Sequence, residues 1–314
     1  MKIVLSAAMT VLMAKAAMAD VPNVVTDIAP VHGLVARVME GVGTPQLIVP
    51  PSASPHDHAM RPSEARALSQ ADVVVWMGHT LTPWLEGSID ALAAGADQIE
   101  LQDIAPVSLS FREGVGFEAH EHEGHGHDDH ADEGHDDHGD EDHGDEVDPH
   151  MWLDPQNAIG WVNEIADRLA AQDPENASVY RANSSAAVAE ISMLSDQIAA
   201  RMEPLQGRSF VVFHDAFHYF EARYGVEAAG AISASDAQAP SPRRLREIEH
   251  VIEDAGAKCV FAEPQFNPGI VEAVAGQTNV HMIDPIGFEL TLGPQMYLQL
   301  LSQIADGFEV CLSH

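Results

Sequence analysis

The stretch Asp148-Pro149-His150-Met151-Trp152-Leu153-Asp154-Pro155 sets a histidine between two Asp-Pro corners. Proline fixes its own φ and restrains the residue before it, so such a histidine has a stiff base. An imidazole on a stiff base suits metal ligation, where a nitrogen must be delivered to one point in space. Three other polar residues are placed to join it. His56 stands in Ser54-Pro55-His56-Asp57-His58 after the strand-like run Gln46 to Val49, His214 follows Ser209 to Phe213, and Asp284 follows Val280 to Ile283. Three imidazoles and a carboxylate form a ligand set suited to tetrahedral zinc. Each residue alone is at home in an ordinary turn, Asp284-Pro285 above all. Four of them at equivalent strand ends point to one site.

The elements that must position them alternate in kind. Short β-branched runs (Asn23 to Thr26, Gln46 to Val49, Asp72 to Met77, Gln98 to Leu101) are separated by helical periodicity over Val31 to Met39, Arg61 to Ala71 and Pro83 to Ala93. The second half repeats this, with strands expected at Ser209 to Phe213, Val226 to Ile232, Lys258 to Ala262 and Val280 to Ile283. Helices are expected there over Ala216 to Tyr224, Pro242 to Ala255, Pro268 to Gly276 and Gly293 to Phe308. Such alternation predicts an α/β fold of two similar lobes, each a parallel sheet flanked by helices. Between them, Gln156 to Ala171 and a longer helix from Asp173-Pro174 to about Met202 are amphipathic, and the longer one is expected to bridge the lobes. In such sheets ligands bind beyond the carboxyl ends of strands, where His56, His214 and Asp284 lie, and His150, at the entry to the central helices, can reach the same crevice.

The chain ends hold further signals. Residues 1–19 read as a secretory signal: Lys2, an apolar run from Ile3 to Met13, and the small-residue site Ala17-Met18-Ala19. The expected organisation is a lobe over 20–155, linking helices over 156–206 and a second lobe over 207–314. The formal charge of −34 excludes a nucleic-acid surface and suits a cationic partner. Part of that charge is local. The segment 118–147, placed inside the first lobe, is nearly devoid of apolar residues and is expected to be disordered. It offers His120, His122, His125, His127, His130, His135, His138 and His143 among carboxylates, as a weak multivalent metal collector or as a merely solvated acidic run. Cys259 and Cys311 suit a disulfide in an exported chain, with two reduced thiols as the other reading.

These motifs resemble the ZnuA-type zinc-binding solute-binding proteins of bacterial ABC uptake transporters, the cluster A-I or cluster 9 family. The resemblance rests on His56-Asp57-His58-Ala59-Met60-Arg61-Pro62-Ser63, Asp72-Val73-Val74-Val75-Trp76, His150-Met151-Trp152-Leu153, Phe213-His214-Asp215-Ala216-Phe217, Phe261-Ala262-Glu263-Pro264-Gln265-Phe266 and Ile283-Asp284-Pro285. It implies His56, His150 and His214 as zinc ligands, Asp284 as a fourth, a Cys259–Cys311 bridge and a His-rich loop before His150. It implies a periplasmic, monomeric, non-enzymatic protein that carries Zn²⁺ to the membrane permease of a zinc ABC transporter, with a periplasmic zinc metallochaperone as a further partner.

The chain departs from the family pattern at one point. Some zinc members carry a glutamate directly before the first ligand histidine, where this chain has Pro55, which leaves Asp284 or a water for the fourth position. Related manganese-type members place a glutamate where this chain has His214, and an imidazole there favours zinc. Asp215 and Glu263 are candidates to support the ligands through hydrogen bonds. His58 and His218 read as supporting or surface residues, His32, His250 and His281 as structural, and His79 as facing the correct edge without a ligand pattern. A zinc hydrolase is the rival from another class, but no His-Glu-x-x-His helix is present. A zinc buffer or adhesin that meets no permease is the third reading.

Overall fold

The computed structural model describes residues 21–112, 117, 147–233 and 240–313. The secretory signal at 1–19 and the eight histidines between His120 and His143 lie outside the described residues.

Among the described residues, eight strands form two parallel sheets of identical connectivity, with orders β2-β1-β3-β4 and β6-β5-β7-β8. The first comprises β1 (Val24–Thr26), β2 (Gln46–Leu47), β3 (Val73–Trp76) and β4 (Asp97–Glu100). Val73-Val74-Val75-Trp76 is buried along its whole length, as a central strand covered on both faces requires. The expected strand Gln46 to Val49 is short, but its ladder continues through Ile48 N–H to the Thr26 carbonyl and Val49 N–H to the Asp27 carbonyl. Helices α1 (Ala29–Val38), α2 (Pro62–Ser69) and α3 (Pro83–Leu92) complete this lobe, each opened by a proline at its first turn.

The second sheet comprises β5 (Phe210–Val212), β6 (Gly230–Ala231), β7 (Cys259–Ala262) and β8 (Asn279–Met282), with α6 (His218–Tyr224), α7 (Pro242–Asp254), α8 (Pro268–Ala275) and α9 (Met296–Leu312) around it. The pleat divides β5 between two cores. Phe210 and Val212 join the main core, whereas Val211 packs with Phe213, Ile248, Ile252 and Val271 beneath α7 and α8. Cys259 on β7 and Cys311 on α9 form a disulfide with Cα atoms 5.7 Å apart. It ties the last helix to the sheet.

Two helices, α4 (Pro155–Gln172) and α5 (Ala177–Met202), connect the lobes. The Asp154 side chain caps α4 through Gln156 N–H and is gripped from the second lobe by the Arg223 guanidinium at 2.9 and 2.7 Å. Helix α5 touches α1 of one lobe and α9 of the other. Gly33 lets α1 approach α9 closely: a Cβ there would stand 3.1 Å from the Tyr297 backbone nitrogen. One apolar core therefore runs from Val25 through Trp152, Trp161 and Ile191 to Phe308.

Candidate metal centre

His56 sits on the loop after β2, and the N-terminus of α2 holds that loop in place. Glu64 at the third position of α2 accepts the Arg61 backbone N–H at 2.6 Å and meets the His58 imidazole at 3.0 Å. The His58 ring lies against Trp84, with centroids 5.5 Å apart, and the Trp84 indole donates to the Pro55 carbonyl at 2.8 Å. His56 N–H donates to Ser54 Oγ at 3.2 Å. The residues either side of His56 are thus fixed by buried or half-buried partners.

His150 is fixed by its own corner. The Asp148 carboxylate accepts the His150 backbone N–H at 2.9 Å and its Nδ1 at 2.8 Å. A carboxylate can only accept here, so Nδ1 bears the proton and the lone pair falls on Nε2. Asp148 is fully buried. Burial pushes its carboxyl upward, but the electrostatic pull of the His150 ring and the two hydrogen bonds from His150 outweigh that and bring it down to about 2. His218 Nδ1 stands 3.4 Å from the second carboxylate oxygen.

His214 follows β5 and repeats the arrangement with a different carboxylate. Its Nδ1 meets Glu263 Oε1 at 2.7 Å, and Glu263 is 2 % exposed at the end of β7. By the same logic the His214 lone pair falls on Nε2. Asp215 does not support it directly: its carboxylate is taken by Arg112.

The three rings come together in one pocket between the lobes, lined also by Trp152, Phe266, Gln265, Pro285 and Ile286. Ring centroids are 5.5 Å apart for His56 and His150 and 5.3 Å for His150 and His214. Two imidazoles bound tetrahedrally to one zinc through nitrogens ~2.0–2.1 Å away hold their centroids about 5.2 Å apart. Among the described residues no three His, Cys, Asp or Glu side chains are already gathered as a formed metal cluster. Two of the three ring spacings are thus close to that value, and a shared ion would require the imidazoles to turn towards one point.

Asp284 is placed differently. Its carboxylate accepts the backbone N–H groups of Ile286 and Gly287 at 3.0 Å each, that of Phe288 at 2.5 Å, and the Gln265 amide at 3.2 Å. It organises the turn after β8, so ligation would require it to give up some of these bonds.

Of the other described histidines, His250 lies exposed on α7 rather than in a structural role. His32 is buried against the Pro45 carbonyl, and burial holds its pKa low. Burial also lowers His281. His79 pairs with Glu100 at the sheet edge. Sequence reasoning missed Asp148 as the partner of His150, although an aspartate two residues upstream across a proline is well placed to accept both nitrogens. It also missed Trp84 and Arg112, for which no local pattern gives a signal.

A family model described as ZnuA, zinc-uptake complex component A, periplasmic, matches residues 24–311. The chain belongs to the ZnuA family. That family is a periplasmic binding component of an uptake complex and not an enzyme. A relative from Brucella suis biovar 1 (strain 1330), the high-affinity zinc uptake system protein ZnuA, is 44% identical over 307 residues, covering 93% of this chain and 92% of its own length. A crystal structure of ZnuA superposes with a TM-score of 0.75 at 24% identity, covering 93% of this chain and 100% of the other. The solute-binding protein FpvC from Pseudomonas aeruginosa, solved in complex with Mn²⁺, shares the fold equally well, with a TM-score of 0.75 at 19% identity over 93% of this chain and 99% of its own. Among the described residues no helix is long and apolar enough to cross a membrane.

Proposed function

We propose that this ZnuA-family chain captures Zn²⁺ in the periplasm and delivers it to the membrane permease of an ABC transporter. His56, His150 and His214 hold the ion through Nε2, and Asp284 or a water takes the fourth position. Neutral nitrogen donors in a tetrahedral set suit zinc and disfavour manganese, which prefers oxygen. The observation behind this reading is that two imidazoles a few ångströms apart each carry a buried carboxylate on Nδ1. A structural histidine has no need of that arrangement, and a metal-ligating one almost always has it. The 44% identical relative, named for zinc uptake, supports the same choice of cargo.

Metal analysis with competitive chelator titration of H150A and H214A tests this. One tight zinc equivalent in the parent, lost in both variants, is expected; undiminished affinity in either refutes the assignment. D284N decides the fourth position: affinity within about threefold of the parent assigns it to water, and a loss of roughly 10–100-fold assigns it to Asp284.

The His-rich segment 118–147 acts as an auxiliary collector. Its acidic, nearly apolar-free composition gives no fixed scaffold for a ligand set, so its sites are expected to be weaker than the pocket. Removing residues 118–147 should leave the tight site and abolish additional weak equivalents in calorimetry.

A further inference from the structure

A guanidinium lies beside the metal centre without being part of it. Arg112 is on the stretch that enters the acidic segment, and its side chain is 13 % exposed. Its Nε donates to Asp215 Oδ2 at 3.0 Å and its Nη2 to Asp215 Oδ1, while Nη1 donates to Glu221 Oε2 at 2.6 Å. The Phe117 ring covers its face at 4.0 Å. Asp215 follows His214 directly, and Glu221 lies in α6, where it also accepts the Ala228 N–H at 2.9 Å. Both carboxylates belong to the second lobe. Arg112 thus clamps the β5–α6 turn to its helix from outside that lobe, using the two-pronged geometry that only arginine offers.

The backbone carrying Arg112 is itself anchored to the other imidazole. Ser110 bridges Val147 in antiparallel register, and Asp148 N–H donates to the Leu109 carbonyl at 2.9 Å. The Tyr219 hydroxyl receives Leu109 N–H and donates to the Asp148 carbonyl, both at 2.9 Å. One short ribbon therefore bears Asp148, which aims His150, and Arg112, which grips the turn that aims His214.

We propose that Arg112 is a positioning residue for zinc capture: through Asp215 it sets the orientation of His214 relative to His150 across the lobe boundary. This rests on the zinc-binding reading above. Loss of a hydrogen-bonding partner behind a metal ligand commonly costs 10–100-fold in affinity. Arg112 acts one step further out, but it fixes two carboxylates at once.

The test uses the full chain with R112M, R112K and, as a control for losing an ion pair elsewhere, R168M, whose partner Asp97 lies on β4. Zinc affinity is read by chelator competition, ligand geometry by the visible spectrum of the Co²⁺ form, and stability of the metal-free protein by thermal melting. R112M should bind zinc roughly 10–100-fold more weakly with an altered Co²⁺ spectrum. R112K, which keeps the charge without the fork, should recover part of the loss, and R168M should bind as the parent does. Parent-like affinity and spectrum in R112M overturn the proposal. So does weaker binding with an unchanged Co²⁺ spectrum, which would mark a purely structural role. Should R112M not fold, D215N with Arg112 in place gives the same decision: roughly tenfold weaker binding with a changed spectrum supports it, and parent-like behaviour overturns it. A parent that binds no zinc overturns the functional reading as well as this one.

Discussion

The Trp84 indole nitrogen donates to the carbonyl of Pro55 at 2.8 Å, so a residue of α3 fixes the peptide that presents His56. The loop that carries this imidazole is braced through the residues around it. W84F keeps the ring that packs on His58 and removes only the donor. Zinc affinity should fall by roughly tenfold with little change in melting temperature, because one partly exposed hydrogen bond contributes about 1 kcal/mol. Chelator competition and calorimetry check the two halves of that statement.

Asp148 carries a heavier duty, since it accepts two N–H groups of His150 in a fully buried setting. Both bonds fall on Oδ1, so D148A, which removes that oxygen, is the informative change. The imidazole then loses the acceptor that keeps its proton on Nδ1 and is free to take the other tautomer, with no lone pair at Nε2. A loss of zinc affinity of roughly 10–100-fold is expected. Nitrogen-15 shifts of the His150 ring in the metal-free protein would show the tautomer directly, and an unchanged Nδ1–H form would contradict this account.

Asp27 gives a pH signature unconnected with metal. Burial raises its pKa from 3.8 to about 7, against the lowering effect of backbone N–H bonds from Met77 and Ile28. The native state therefore binds a proton more tightly than the unfolded chain does. Its contribution to stability is greatest below about pH 4 and is lost as pH rises towards 7. In D27N that component vanishes, so the difference in unfolding free energy between parent and variant should change across this window and flatten above it. Denaturant melts from pH 4 to 8 provide the measurement, and a pH-independent difference would count against it.

The Cys259–Cys311 disulfide should stabilise without tuning the site. Replacing both cysteines with serine removes a cross-link that the chain-entropy model values at roughly 4 kcal/mol. Zinc affinity of the folded double variant should remain within about threefold of the parent, since both cysteines are buried in β7 and α9 and neither lines the pocket. A large fall in affinity would show that β7 transmits strain to Glu263.

Much of this was legible from residue patterns alone. Runs such as Val73-Val74-Val75-Trp76 can only be buried strands, and the prolines at Pro62, Pro83, Pro155, Pro242 and Pro268 mark helix starts. His56 and His214 stood out because each follows a strand, and His150 because two Asp-Pro corners enclose it. Interactions between distant side chains left no such trace. Arg112 and Glu221 are separated by 109 residues, and a single arginine beside an acidic run looks like any surface cation. Asp284 was legible as a polar residue at a strand end, but its role depends on where three backbone N–H groups point. Edge strands were overextended in the reading: Val226 to Ile232 shrinks to Gly230–Ala231, since pairing on one side only gives less to hold an extended run straight.

The close approach of α1 to α9 at Gly33, with α5 lodged against both, has a kinetic consequence. A clamshell swing of the halves would tear apart a single apolar interior, so large-scale opening is too expensive to meter cargo exchange. On the proposed function, entry and exit would instead fall to the segments that line the pocket: the loop bearing His56 and the turns at His214 and Pro285-Ile286. Segments of that size move in nanoseconds to microseconds, faster than whole-body hinging. Discharge of the ion should accordingly track local loosening of individual donors, and small-angle scattering of loaded and empty forms should be nearly superimposable.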